Sequence, residues 1–408
     1  MVCPTMLEPR APPDLEGLYP FQSCLPSVFF SNLPRRHLQL QMSMASFTLS
    51  QFYSTSSFNS PNKIHHHITF SRYVKSFTIT TSASLDYSTN KSVVSSKTSN
   101  WQWKFKDNFI KIHYEEHRDE SDGPSKDILM MPSISDVSSV DEWRLVAKDI
   151  IQRPIENVNW RTTVVDWPGL GYSDRPKLDY NADVMESFLV DFIHAQNSPI
   201  RSVPKDLVII AGGHAATLAI RAAKKGLVKP SAIIVVAPTW SGPLPTLFGR
   251  DSKIEARFKL LRQILRAPFI GWMMYKVLIS NKKFIRYQYK SHVYADFTNV
   301  TPTIIDSKHE LMNQKGARYA PAAFLTGLFD PVKTREEFLE LFEALEGKVP
   351  VLVVSTPSVR KKSKAEMEAL KGAKGVSKFV EVPGALLPHE EYPEIVAKEI
   401  YSFLQEVI

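Results

Sequence analysis

The sequence predicts an α/β fold, with a mostly parallel central sheet, helices on both faces of the sheet and a helical cap inserted late in the chain. Short apolar runs rich in β-branched residues recur along the chain, and such runs are typical of strands buried on both faces of a parallel sheet. The runs are residues 128–131, 162–165, 207–210, 232–236, 349–354 and 379–382. Helical patterns lie between them, as successive β-α-β units require.

Residues 1–92 are predicted to be a disordered leader that contains a chloroplast transit peptide. No Asp or Glu occurs between Gly17 and Leu85, whereas Ser, Thr, Phe and Tyr are abundant there. Organellar import signals are acid-poor and Ser-rich because they must stay unfolded. The Met-Ala pair at Met44 is typical of the start of such a peptide. The expected location is the chloroplast, in the stroma or peripheral to the thylakoid or envelope.

The folded part is expected to be one domain, residues 93–408. Residues 101–105 and 108–114 alternate apolar and polar side chains, which predicts two paired strands. A mostly helical cap insertion is expected at about 239–345. One of its helices should be amphipathic and basic, since four apolar residues fall at helical spacing between basic flanks: Ile254, Phe258, Leu261 and Leu265.

The net charge of +8 is concentrated in one segment. Residues 249–292 hold eleven Lys and Arg against two acidic residues, a net charge of +9, so the rest of the chain is close to neutral. A basic cap with interleaved aromatic residues suits an anionic plastid membrane or an amphiphilic ligand, although a plain solvated face is the alternative. The candidate contacts are Arg257, Lys259, Arg262 and Arg266. No nucleic-acid-binding module is recognisable, so no such partner is expected.

Cysteine and hydropathy patterns exclude further classes of protein. The two cysteines, Cys3 and Cys24, lie near the start, so neither a disulfide framework nor a Cys-based metal site is available to the folded part. No apolar run reaches the roughly 18 residues that cross a bilayer, so no transmembrane segment is expected. Neither a metal nor a cofactor is expected.

Four landmarks in order resemble the α/β-hydrolase superfamily, in its capped single-domain form. Asp166-Trp-Pro-Gly-Leu-Gly-Tyr-Ser-Asp-Arg-Pro176 resembles the turn after the family's fourth strand. Met131-Pro-Ser-Ile-Ser resembles the loop after its third strand, residues 212–216 its nucleophile elbow, and residues 383–393 its last loop and final helix. The resemblance covers residues 101–408. It implies a plant chloroplast member of the superfamily, with the α/β-hydrolase fold.

The nucleophile expected from this resemblance is missing. The family's elbow is Gly-x-Ser-x-Gly, in which the Ser sits on a strained turn between small residues. Small residues remain at Gly212, Gly213 and Ala215, and His214 is predicted to occupy the nucleophile position. A register shifted by one residue places Ala215 there, so neither register supplies a Ser, Cys or Asp.

The acid and the base also depart from the family pattern. After residues 349–354 no carboxylate appears until Glu366, which is expected to be a solvated helix residue. Two alignments of the last loop are open. In the first, Leu386 falls where the base would stand and His389 is the family's accessory histidine; in the second, His389 is the base.

The oxyanion loop is changed as well, since Pro132, Ser133 and Ile134 replace the usual His-Gly sequence. Pro132 has no backbone N–H to donate, although its neighbours do. The resemblance therefore implies a plastid α/β-hydrolase-fold protein without the Ser/acid/His triad, binding a hydrophobic or amphiphilic ligand or an anionic lipid surface. The alternative is an active hydrolase of a hydrophobic ester that uses other catalytic residues.

Overall fold

A computed structural model describes residues 94–119, 125–153, 158–200 and 206–408. The predicted leader, with Met44, lies outside these residues. One eight-stranded sheet runs through the described chain in the order β1-β2-β4-β3-β5-β6-β7-β8. Its strands are β1 (Val94–Phe105), β2 (Asn108–Asp119), β3 (Ser125–Met131), β4 (Asn159–Val165), β5 (Leu207–Gly212), β6 (Ala232–Val236), β7 (Val351–Ser355) and β8 (Lys378–Glu381).

The sheet is parallel except at one edge. β1 and β2 form an antiparallel hairpin in which Phe105 pairs with Asn108, and β2 runs antiparallel to β4. The remaining neighbours are parallel. Alternate residues of β1 face the core, where Trp103 donates its indole N–H to Asp191 at 2.8 Å. The paired strands expected near Trp101 are therefore present.

Helices cover both faces of the sheet. The α-helices of the described chain are α1 (Arg144–Gln152), α2 (Ala182–His194), α3 (Gly213–Lys224), α4 (Pro243–Phe248), α5 (Ser252–Arg266), α6 (Ile270–Met274), α7 (Lys282–Gln288), α8 (Pro302–Met312), α9 (Tyr319–Leu325), α10 (Arg335–Glu343), α11 (Lys361–Glu368), α12 (Pro388–Glu391) and α13 (Pro393–Val407). One buried cluster joins the sheet to α2, α3 and α10, and a second joins it to α1 and α13. The predicted fold class is confirmed.

A helical segment, α4 to α10, separates β6 from β7. The predicted amphipathic helix is α5, where the side chain of Asp251 accepts the N–H of Ile254 and where Phe258 and Leu265 are buried. Further along, Tyr275 and Tyr289 are buried in a small core of this segment that also includes Leu387 of the last loop. In the part of the chain that the structure describes, no helix is long and apolar enough to span a bilayer.

Candidate functional site

The turn between β5 and α3 has its apex at Gly213. This glycine has φ of +51°, in the left-handed region that favours glycine. The nucleophilic Ser of a Gly-x-Ser-x-Gly elbow sits on a strained turn of this kind, between a strand and a helix. His214 is one residue further on, inside the first turn of α3. The predicted placement of His214 at the apex, and the alternative with Ala215 there, are therefore corrected to Gly213.

Both glycines of the elbow are closely approached by neighbouring side chains. A Cβ at Gly212 would lie 2.7 Å from the hydroxyl oxygen of Ser133 and 3.1 Å from Cε1 of His389. A Cβ at Gly213 would lie 3.4 Å from the Ser133 hydroxyl and 3.6 Å from that of Thr239. The elbow thus lies beside the loop after β3, the loop after β6 and helix α12.

His214 links the elbow to the inserted segment. Its Nδ1 is 2.7 Å from the Thr239 hydroxyl, and its Nε2 is 3.3 Å from Oδ1 of Asp330. Asp330 also accepts the N–H of Gly242 at 2.9 Å and pairs with the Arg250 guanidinium. Side chains of His214 and Asp330 are 2% and 1% exposed. Sequence reasoning missed Asp330, because a single Asp 116 residues beyond His214 carries no local signal.

The order hydroxyl, imidazole, carboxylate resembles that of a catalytic triad, but the electrostatics are unlike those of one. Burial, and to a smaller extent the positive charge of Arg250, lower the pKa of His214 to about 3. In a triad the carboxylate stabilises the imidazolium that forms, whereas here Arg250 pairs with that carboxylate. His214 is therefore neutral and a poor acceptor for a hydroxyl proton.

His389 is buried against α1 and its preceding turn. Its ring stacks on Trp143 with centroids 4.1 Å apart, and its Nε2 is 3.3 Å from Oε2 of Glu142. The same carboxylate oxygen accepts the backbone N–H of Ser133 at 2.8 Å. His389 thus contacts a carboxylate, as a base would, while its other nitrogen, Nδ1, has no hydrogen-bond partner among the described residues. Both alignments of the last loop stay open on this geometry.

In the predicted oxyanion loop, the backbone N–H of Ser133 is engaged by another residue. The Ser133 N–H is bound to Glu142, Pro132 has no N–H, and the Pro132 carbonyl accepts the indole N–H of Trp167 at 2.8 Å. Ile134 is buried in the core. The Ser133 hydroxyl, beside Gly212, has no hydrogen-bond partner in the described part of the protein. Buried polar atoms of this kind are usually satisfied by water or by a ligand.

The loop after β7 supplies no acid. Its first polar side chain, Thr356, donates to the carbonyl of Ala385 at 2.7 Å. Glu366 of α11 is not the freely solvated residue that the sequence predicted, since it accepts hydrogen bonds from Arg335 at 2.9 Å and from the Trp240 indole at 3.3 Å. Leu386, which one of the two alignments places at the base position, is half-buried and donates its N–H to the Val293 carbonyl at 3.1 Å.

A shallow cavity of about 430 Å³, largely open to solvent, lies at the carboxyl ends of β7 and β8, next to these two loops. Pro357, Val382 and Tyr392 supply apolar surface to it, and Ser358, Asp296 and Glu381 supply polar groups. Its lining is therefore mixed, with an excess of negative charge. Among the described residues no group of three His, Cys, Asp or Glu is placed to hold a metal ion.

The four basic residues predicted on the cap divide into two pairs. Arg257 and Lys259 are exposed on α5. Arg262 donates to the Thr326 hydroxyl at 2.8 Å, and Arg266 donates to the Leu178 carbonyl at 2.8 Å and pairs with Asp179. The second pair therefore holds the protein together instead of lying free for a partner.

A family model described as "Alpha/beta hydrolase family" matches residues 139–399. Similar solved structures include a thermophilic esterase from Thermogutta terrifontis (TM-score 0.54, 15% identity, 76% of this chain and 99% of that one) and Cfl2 from Burkholderia cenocepacia (TM-score 0.52, 16% identity, 75% and 95%). The haloalkane dehalogenase DatA from Agrobacterium tumefaciens is another (TM-score 0.52, 13% identity, 76% and 97%). No curated protein sequence matches the chain significantly.

Proposed function

The chain belongs to the α/β-hydrolase family, and we propose that it is a plastid member that binds an amphiphilic ligand without Ser/acid/His hydrolysis. The observation that carries the proposal is the glycine at the apex of the elbow. Gly213 has no side chain with which to attack a carbonyl carbon, and covalent catalysis in this family begins with that attack.

Two further features of the site support the loss of hydrolysis. The Ser133 N–H is held by Glu142, so it is not free to stabilise a developing oxyanion. In the alignment that makes His389 the accessory histidine, Leu386 takes the base position, and a leucine cannot accept a proton. Nucleophile, oxyanion donor and base are thus each affected by a different substitution.

The ligand class follows from the cavity beside β7 and β8. Tyr392, Pro357 and Val382 would contact an apolar portion, while Ser358 and the carboxylates of Asp296 and Glu381 would bind hydrogen-bond donors or a cationic group. A cavity of about 430 Å³ is within the usual size of small-molecule sites. An amphiphile with a neutral or cationic polar end fits this lining better than a fatty acid anion does.

A second candidate function is favoured by one specific observation, the row formed by Thr239, His214 and Asp330. In this hypothesis Thr239 is the nucleophile of an active hydrolase and its hydroxyl lies 3.6 Å from the place where the Cβ of a normal nucleophile would be. The low pKa of His214 opposes it, because a base of pKa about 3 takes up a hydroxyl proton poorly at neutral pH.

Two assays of the purified full chain distinguish the two candidate functions: labelling with a fluorophosphonate, and turnover of a panel of short and long acyl esters. We expect neither labelling nor turnover. Labelling at Thr239 that disappears in Thr239→Val would establish the second function and overturn the first. Gly213→Ser is also expected to remain without esterase activity, and turnover by this variant would identify His389 or His214 as a competent base.

Ligand binding and location need separate measurements. Displacement of a fluorescent, cationic amphiphile should report binding to the full chain, and Glu381→Gln should weaken it, with the exposed Glu346→Gln as the control variant. The plastid location predicts that a fluorescent fusion of the full chain enters chloroplasts and that deletion of residues 1–92 leaves it outside.

A further inference from the structure

An apolar strip is exposed on the inserted segment, on α6 and the turn that follows it. Its members are large side chains that are 45–72% exposed: Phe269, Ile270, Trp272, Met273 and Val277. A contiguous apolar surface of this kind on one helical stretch is unusual for a protein surface that faces only water. We therefore expect a binding partner to cover this strip.

The packing of α6 fixes which way the strip faces. Gly271 lies against the end of α5 so closely that a Cβ there would be 2.2 Å from the carbonyl oxygen of Leu265. Tyr275, on the same side, is buried in the small core of the inserted segment. Because this side is held against the protein, the strip projects outward from the opposite side.

Positive charge surrounds the strip, and no acidic residue occurs between Ala256 and Ala295. Lys276 is exposed, with its ammonium 5.1 Å from the centroid of the Trp272 ring. Lys283, Arg286 and Lys290 follow as further exposed basic residues. Lys282 is also exposed but pairs with Asp306 at 2.8 Å. Within the described chain no salt bridge involves Lys283, Arg286 or Lys290.

We propose that this strip and its basic surroundings dock on an anionic lipid bilayer, with Phe269, Trp272 and Val277 entering the headgroup region. Amphipathic surfaces that combine aromatic side chains with Lys and Arg lie in the membrane interface in this way. The contacts differ from those that the sequence predicted, because Arg262 and Arg266 are bound internally and residues 276–290 take their place. The inference does not depend on whether the elbow is inactive.

Charge complementarity favours lipid over a protein partner or a second copy of this chain. The strip is a projecting helix with uniformly positive flanks, and a second copy would bring the same charge against it. An anionic membrane supplies opposite charge over a wide area, and each basic residue near such a surface strengthens binding about 5-fold.

Vesicle flotation of the full chain tests the proposal, with neutral phosphatidylcholine vesicles and with vesicles that contain phosphatidylglycerol. We expect binding to the anionic vesicles that weakens at high salt. The triple substitution Lys283→Gln, Arg286→Gln and Lys290→Gln should lower the partition coefficient about 100-fold. A matched triple, Lys224→Gln, Lys229→Gln and Lys371→Gln, removes the same charge from exposed residues elsewhere and should have a much smaller effect.

Trp272 gives a second readout, because it is 49% exposed whereas five of the other six tryptophans are buried. Its emission should shift to shorter wavelength on vesicle binding, and Trp272→Phe should remove that shift while binding persists. Phe269→Ser should weaken binding, and Phe109→Ser, which changes a similarly exposed phenylalanine at the start of β2, should not.

Three results would overturn the proposal. The first is absence of flotation of the folded protein with anionic vesicles. The second is equal loss of binding in the two triple variants, which would indicate an effect of net charge without a defined surface. The third is a dimer that dissociates on Phe269→Ser, which would make a second copy of the chain the occupant.

Discussion

Acid should destabilise this protein through His214. In the folded chain the pKa of His214 is about 3, against an ordinary value of 6.5, because the ring is buried and Arg250 is nearby. In the unfolded chain the ring is hydrated and takes up a proton below about pH 6.5. Between these two values the unfolded state binds one more proton than the folded state does, so the free energy of unfolding falls as the pH is lowered.

The size of the effect follows from the same two pKa values. Above pH 6.5 the contribution of His214 is complete, and it is lost progressively as the pH falls towards 3. Linkage gives a loss of about 2 kcal/mol at pH 5 relative to pH 8. That is a substantial share of the roughly 5–15 kcal/mol by which domains are stable.

Urea unfolding at pH 8 and at pH 5 measures this loss, in the parent protein and in His214→Gln. Glutamine keeps a hydrogen-bonding side chain but does not titrate, so the pH difference should shrink by about 2 kcal/mol in the variant. The control is His194→Gln, which changes an exposed histidine at the end of α2. If His214→Gln keeps the full pH difference of the parent, then the folded ring takes up protons normally and our description of it as a neutral, weakly basic group is wrong.

Three further predictions are tested by urea unfolding, two on packing and one on pH dependence. Gly213→Ala should lower the free energy of unfolding by about 1–2 kcal/mol because of its positive φ, and by a further amount because its Cβ contacts Ser133. The control is Gly226→Ala, which is also at positive φ but in open space and should therefore show only the backbone effect. Lys308→Met should lower the free energy of unfolding by about 3–5 kcal/mol, because it leaves Glu390, its partner at 2.7 Å, without a counter-charge. Adding Glu390→Gln to this variant should recover part of that loss of stability. His292→Gln should lessen acid sensitivity, because burial and Arg360 lower the pKa of His292 to about 4.

The sheet was predictable from the sequence because its strands are buried on both faces. The apolar runs at 207–210 and 232–236 lie within β5 and β6, where every residue is buried. A strand that is buried on both faces consists of an unbroken run of apolar, mostly β-branched residues. Such a run is recognisable in the sequence without knowing which strands lie beside it. The β1–β2 hairpin was equally recognisable, because strands with one solvent-exposed face alternate apolar and polar residues.

The apex of the elbow was not predictable to the residue. Gly212 and Gly213 can each adopt a positive φ, so the sequence does not specify which residue ends β5. The structure gives φ of −101° at Gly212 and +51° at Gly213. That difference moves the apex one residue away from His214, and it depends on how β5 pairs with β6.

The roles of the charged residues depend on tertiary contacts, which the sequence alone did not predict either. Arg262 and Lys259 look alike on the amphipathic pattern of α5, yet Arg262 reaches Thr326, 64 residues later, while Lys259 is exposed. Asp330 likewise acquires its role only where the fold brings it to His214 and Arg250.

The departures at the elbow and at the lipid-facing strip support one interpretation of how this chain is used. Gly213 has no attacking group, the N–H of Ser133 is bound to Glu142, and in one of the two alignments of the last loop Leu386 stands where a base would. Under the proposed function each departure affects a different step, so restoring any single group should leave the other steps without their residues. Trp272 and Phe269, by contrast, are large apolar side chains that lie exposed on the inserted segment, where contact with water is unfavourable. The surface of the inserted segment therefore carries stronger signs of present use than the elbow does, and binding experiments should begin there.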